Sequence, residues 1–150
     1  MVWGIVIGVI LFLVLLAFEA VYLSNHFRAK RAKQDAAAHH YDRVWYGRSG
    51  SGYVAASGKQ VIVFKTPTKQ ATFQLGKLYV FTSKRRVDFN ETYAPLTVHQ
   101  KLFGVFLSDA DYADLMAWFA DHHVLVTPEA QVLQEAQAIL DEEAKKNNSV

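Results

Sequence analysis

The chain contains no cysteine. Disulfide staples, thiolate nucleophiles and zinc–thiolate centres are therefore excluded. Proline is scarce, three residues in 150, so few positions forbid a helix or strand interior. Charge is missing from one long stretch: Glu19 is the only charged side chain before Arg28. Recognisable catalytic spacing is missing too. The six histidines, His26, His39, His40, His99, His122 and His123, never fall in an H-x-x-x-H arrangement, and adjacent histidines on a helix point about 100° apart, so no metal site is expected. Gly52 and Gly58 are separated by five residues and Lys59 is followed by Gln60. A phosphate loop needs four residues there, and a Ser or Thr after the lysine. A nucleophile elbow needs glycine two positions before and two after its serine; Ser49 has Ser51 where the second should be, and Ser51 has Ser49 where the first should be. No cofactor is expected.

What is present begins with Met1–Leu23, MVWGIVIGVILFLVLLAFEAVYL. As a helix this run spans about 33 Å, close to the roughly 30 Å of a hydrocarbon core. Trp3 and Tyr22 suit the two interfacial aromatic belts. A cleavable signal peptide needs a basic start and a shorter apolar core, and this run has neither. A spanning helix over 1–23 is the expectation. Arg28, Lys30, Arg31 and Lys33 follow it closely. By the positive-inside rule they place the N-terminus outside and the remainder in the cytoplasm, as a single-pass protein of the cell membrane. The same four residues are candidates for contact with anionic headgroups. Gly4 and Gly8 form a small-xxx-small pair through which a homodimer could close. Glu19 lies near the basic end, where it can reach towards the headgroups or meet a partner inside a bundle.

The net charge of +2 hides a division. Residues 24–60 carry net +5, residues 61–107 again +5, and residues 108–150 net −7. A basic middle facing an anionic inner leaflet, with an acidic end turned to the cytosol, is one physical use of that layout.

Residues 24–43 are rich in good helix formers and predict a basic stalk helix continuing the anchor. Residues 44–60, dense in Gly and Ser, predict a loop or linker. A small α+β domain is expected over 61–146. Its strands are read at Val61–Phe64, Ala71–Leu75, Leu78–Phe81, Leu96–Val98 and Leu102–Leu107, short runs separated by turns, as in an antiparallel sheet. Ser108 reads as an N-cap with Asp111 at N3. Tyr112, Leu115, Met116 and Phe119 then form one helix face, with Asp111, Asp114 and Asp121 away from it. A second helix is expected with Thr127 as N-cap and Pro128 at N1. Its apolar stripe is Val132, Leu133, Ala136, Ile139 and Leu140. Val124–Val126 is either a connection or a short strand, and 147–150 a disordered tail.

Sheet first and helices last is the α+β order. Between Val61 and His123, a small curled sheet closed by a helix resembles the layout of bacterial pleckstrin-homology-like domains. That likeness rests on element order alone and carries no residues across.

Lys84, Arg85 and Arg86 form a basic patch beside Tyr79, Phe81 and Phe89, a combination that single-stranded nucleic acid favours. The glycine–aromatic motif of RNA-recognition domains is absent, which counts against nucleic acid as a partner. The expected function is therefore a membrane-anchored, non-enzymatic interaction or scaffold module at the inner face. Its partners would be the bilayer, anionic headgroups and a cytoplasmic or membrane protein. A membrane-tethered nucleic-acid binder is the alternative, and a small enzyme without a recognisable motif a third.

Overall fold

The structure, a computed structural model, describes residues 2–93 and 103–147. Helix α1 (Val2–His39) is unbroken over thirty-eight residues, about 57 Å at the standard rise. It is long and apolar enough to cross a membrane, and none of its apolar window is buried inside the fold. Its second half is not a free stalk. The face Asn25, Ala29, Ala32 and Ala36 lies against the domain, and Ala32 and Ala36 are buried. Their spacing of four, three and four residues, about one turn each, is what one helical face provides.

Strands β1 (Arg43–Tyr46), β2 (Tyr53–Ser57), β3 (Gln60–Thr66) and β4 (Lys69–Gln74) form an antiparallel meander in that order. Strands β5 (Tyr79–Ser83), β6 (Arg86–Asn90), β7 (Val105–Phe106) and β8 (Leu125–Pro128) form a second sheet, ordered β7-β6-β5-β8. Helix α2 (Asp109–Asp121) connects β7 to β8, which pairs in parallel with β5. Helix α3 (Glu129–Asn147) ends the described chain. An antiparallel bridge between Gly47 and Leu107 joins the two sheets.

The α+β class holds, with the N-terminal helix, the antiparallel sheet and the C-terminal helices in the expected order. Residues 44–60, expected as a linker, instead contain β1 and β2. The glycines and serines misled because the apolar stretch Tyr53–Ala56 between them is buried on both faces. Val54 and Ala56 join Trp45, Val61 and Val63 in the main core, while Tyr53 and Ala55 join Ile62 and Phe64 under α1. The alternation is the period-2 rule applied to a sheet covered on both sides. Val124 lies in the main core and Leu125–Val126 begin β8, so this apolar run is mostly a strand. The expected cap is shifted: Thr127 is a buried residue of β8 in register with Phe81, and α3 begins at Glu129, directly after Pro128. Pro128 is tolerated there because β8 is an edge strand.

The main core lies between the sheets. Leu115, Trp118 and Phe119 of α2 close it against Val80, Val87, Phe89 and Val105. Tyr112 and Met116 are half-buried at its margin, and Ser108 caps α2 by accepting the Asp111 amide hydrogen. Trp118, outside the expected face, stacks on His122 and packs against Trp45. Asp114 does not simply face solvent, since it accepts the Trp45 indole N–H at 2.7 Å. Of the α3 stripe only Val132 is fully buried, against Phe81. Leu133, Ile139 and Leu140 are exposed; among the described residues α3 packs chiefly on the edge formed by β5 and β8. It runs through Asn147. The readings at Leu96–Val98, Leu102 and 148–150 lie outside the described residues. Between 61 and 123, strands precede a helix as the likeness implied, but β3 and β5 also pair with β2 and β8 outside that stretch.

Two glycines separate backbone preference from close packing. At Gly52 (φ +104°) an added Cβ would sit 1.9 Å from the Phe64 carbonyl oxygen, whereas at Gly58 (φ +56°) it meets nothing within 4 Å. Gly58→Ala should therefore cost about 1 kcal/mol, the left-handed penalty alone. Gly52→Ala should cost at least about 3 kcal/mol, because β3 must move. Thermal unfolding of the full chain in detergent checks this, and equal shifts would refute the packing explanation.

Candidate functional site

A basic cleft opens where α1 meets the loops of both sheets. The segment between β1 and β2 builds one wall. It contains a 3-10 turn, Arg48–Gly50, and it is held rigidly. Gly47 donates its amide to the Gly52 carbonyl at 2.7 Å, and Ser51 Oγ bonds both the amide and the carbonyl of Phe106. Gly50 is buried with φ +69°, and a Cβ there would lie 2.7 Å from the Asn25 carbonyl oxygen and 2.8 Å from Arg28 Cβ. Only glycine lets this loop seat so closely on α1.

The cleft has a volume of about 1000 Å³. Arg28 of α1, Arg48 of the 3-10 turn, Lys65 at the end of β3 and Lys69 at the start of β4 line it. So do Lys84 and Arg85 of the β5–β6 turn, and Arg86 at the start of β6. Seven cations converge there, and no carboxylate, histidine or cysteine is among the described lining residues. Phe106, half exposed, supplies an apolar patch, with the Arg86 guanidinium 5.4 Å from its ring centroid.

Two of the cations are matched from outside the lining. Arg86 forms a fork with Asp88, Nη2 to Oδ1 at 2.7 Å and Nε to Oδ2 at 2.8 Å, in a largely buried setting. Gly104 lies against this pair, because a Cβ there would be 2.3 Å from the Asp88 carboxylate. Arg85 meets Asp109 at 2.9 Å on the exposed surface. Arg28, Arg48, Lys65, Lys69 and Lys84 have no ion-pair partner among the described residues. Burial, and then the charges of Lys69 and Arg86, hold the Lys65 ammonium below the usual lysine range, against a smaller opposing pull from Asp88. Two mechanisms therefore work together, desolvation and like-charge repulsion.

The structure brings together sequence candidates that were read apart. Arg28 joins Lys84, Arg85 and Arg86 in one cleft. Lys30, Arg31 and Lys33 are exposed and outside its lining. Lys33 instead approaches the Tyr46 ring at 6.0 Å. Gly4 and Gly8 both lie in α1, with open space around an added Cβ at Gly8. Arg48, Lys65 and Lys69 were not singled out from the sequence. Their only signal was proximity to turns, at the Gly/Ser segment and at Pro67. The aromatics read beside the basic patch do not form a stacking platform. Phe81 and Phe89 are buried in core clusters and Tyr79 packs against Tyr93.

The second anchor of α1 is Tyr53, which donates to Asp35 at 2.6 Å. Burial, and then this bond, push its phenol pKa up, so it stays neutral. On the far sheet, Tyr93 donates to Glu135 of α3.

The two matched cations should differ in weight. Asp88→Asn should destabilise the fold by about 2–3 kcal/mol, because it leaves a largely buried guanidinium without its carboxylate. Asp109→Asn, at an exposed pair, should cost under about 1 kcal/mol. Thermal unfolding of both variants tests the ranking, and a reversal would show that the Arg86–Asp88 fork is not a structural element.

Comparison with family models, with curated proteins and with solved structures found no match.

Proposed function

We propose that the chain is a single-pass membrane protein whose domain is a non-enzymatic interaction module, held against the anionic cytoplasmic face and presented there to a protein partner. The observation that carries this reading is the continuity of α1 into the domain. The apolar run ends at Leu23. Asn25 and Arg28, which line the cleft, follow it by about 3 and 7.5 Å along the helix axis. With α1 in a bilayer, the mouth of the cleft lies in the headgroup layer, where cations gain about 1 kcal/mol each from an anionic surface. Lys30, Arg31 and Lys33, all exposed and outside the cleft, add charge on the same helix.

The acidic residues of α3 lie on the last element of the chain, and its exposed Leu133, Ile139 and Leu140 suit protein contact. A non-enzymatic role is supported by the cleft's lining, whose described residues offer cations and hydroxyl-bearing side chains and no histidine, cysteine or carboxylate.

In intact cells a tag fused after Val150 should resist added protease, and the full chain should stay with the membranes through carbonate extraction. Digestion of the tag from outside would reverse the orientation, and release by carbonate would remove the anchor. A pull-down of the full chain from detergent extract should recover a stoichiometric protein, and an empty lane would defeat the interaction-module reading.

A further inference from the structure

We propose that the basic cleft is a discrete site for a phosphate group bearing two negative charges, the form presented by a phosphomonoester or a pyrophosphate. The proposal deepens the reading above only in its lipid arm, because a soluble phosphate needs no membrane to reach the site.

Four observations converge on it. First, the charge is concentrated and unmatched. Arg28, Arg48, Lys65, Lys69 and Lys84 surround one volume and have no ion-pair partner among the described residues. Such a gathering of like charges around one volume is self-repulsive. A bound dianion removes that repulsion and converts several exposed ammonium and guanidinium groups into charge-assisted hydrogen bonds. Second, neutral donors stand among the cations: the hydroxyls of Ser49, Thr66 and Ser83 also line the cleft. Third, the walls are preformed. Four non-glycine residues have left-handed φ: His40 and His123 follow helix ends, while Ser49 (φ 50°) and Lys84 (φ 56°) are the two that line the cleft. Backbone held in that region costs about 1–3 kcal/mol per residue and concentrates at binding sites. Ser51 and Gly50 lock the loop that carries Ser49. Fourth, the cations come from four separate segments of chain, so they encircle a compact ligand rather than tracking an extended one.

The chemistry selects the ligand class. A phosphodiester headgroup carries one charge and is served by a diffuse basic surface. Five unmatched cations around one cavity fit a group with two or more charges, which a terminal phosphate carries on a single phosphorus.

Lysine acetylation, read by mass spectrometry on the unmodified full chain, tests the site directly. In zwitterionic micelles, inorganic pyrophosphate should protect Lys65, Lys69 and Lys84 in a saturable manner, while Lys30 and Lys33 serve as internal controls. In phosphatidylcholine nanodiscs, phosphatidic acid, a monoester, should protect the same three lysines. Phosphatidylglycerol, a diester, at matched surface charge should not. Protection by both pyrophosphate and phosphatidic acid supports a site that lipid can reach. Protection by pyrophosphate alone supports the site with a soluble ligand and tells against the bilayer-facing placement. Protection by phosphatidic acid alone supports a lipid site. Equal protection of Lys30 and Lys33, equal effects of the two lipids, or no protection in any arm would overturn the proposal. As a second measure, the pair Arg48→Gln and Lys69→Gln should weaken pyrophosphate binding about tenfold or more in calorimetry, the loss expected for two charge-assisted contacts. Lys30→Gln with Lys33→Gln, which removes the same charge outside the cleft, should change it by less than about twofold. Equal weakening by the two pairs would mean diffuse attraction and no site.

Discussion

The structure depends on the seating of α1 on the first sheet. Ala32 and Ala36 are small enough to bring the helix backbone down onto Tyr53, Ala55, Ile62 and Phe64. The Tyr53–Asp35 hydrogen bond and the Gly50 contact at Asn25 and Arg28 fix the helix at two further heights. Larger residues at 32 and 36 would hold the helix off the sheet, and the cleft would lose the wall that Arg28 supplies. The apolar helix and the domain therefore behave as one rigid body over the docked turns. The orientation of the domain is set by packing and not by a flexible linker.

This seating explains why β2 is buried on both faces. One side of the first sheet belongs to α1, and the other to the core it shares with the second sheet and α2. The central strands β2 and β3, covered twice, have no solvent face to carry charge. The basic residues are consequently displaced to the ends of the sheet, into the turns. Lys65, Lys69, Lys84 and Arg85 all stand at or beside hairpin turns, and Arg48 lies in the β1–β2 connection. Three connections that emerge at the same end of the two sheets thus bring their cations into one space. Concentrated charge here is a consequence of where a doubly covered sheet can put it.

Part of the candidate site was legible beforehand and part was not. Arg28 and the Lys84–Arg86 run stand out as charge in the sequence, but nothing local connects them. Fifty-five positions separate Arg28 from the nearest of the others, and only the pairing of β5 with β6 and the docking of α1 close that distance. Arg48, Lys65 and Lys69 are single charges in unremarkable surroundings. They matter through the register of the β1–β2 and β3–β4 connections, which is a long-range property. The four basic residues after the apolar run looked equivalent because topogenic charge is counted and not placed. Helical periodicity then divides them, turning Arg28 into the cleft, Lys33 towards Tyr46 on the other side of the docked face, and Lys30 and Arg31 away from the domain.

Local physics, written into adjacent residues, determined the length and apolarity of α1, the strands from β3 to β5, the Ser108 cap and the inward face of α2. Each follows from hydrophobic period, turn chemistry or capping within a few positions. Tertiary structure alone decided that Tyr53–Ala56 is a central strand, that Leu125–Pro128 adds to β5 in parallel, and that most of the α3 stripe stays exposed. Those outcomes turn on which distant surface is available to cover an element, and burial by a distant partner leaves no mark in the residues beside it.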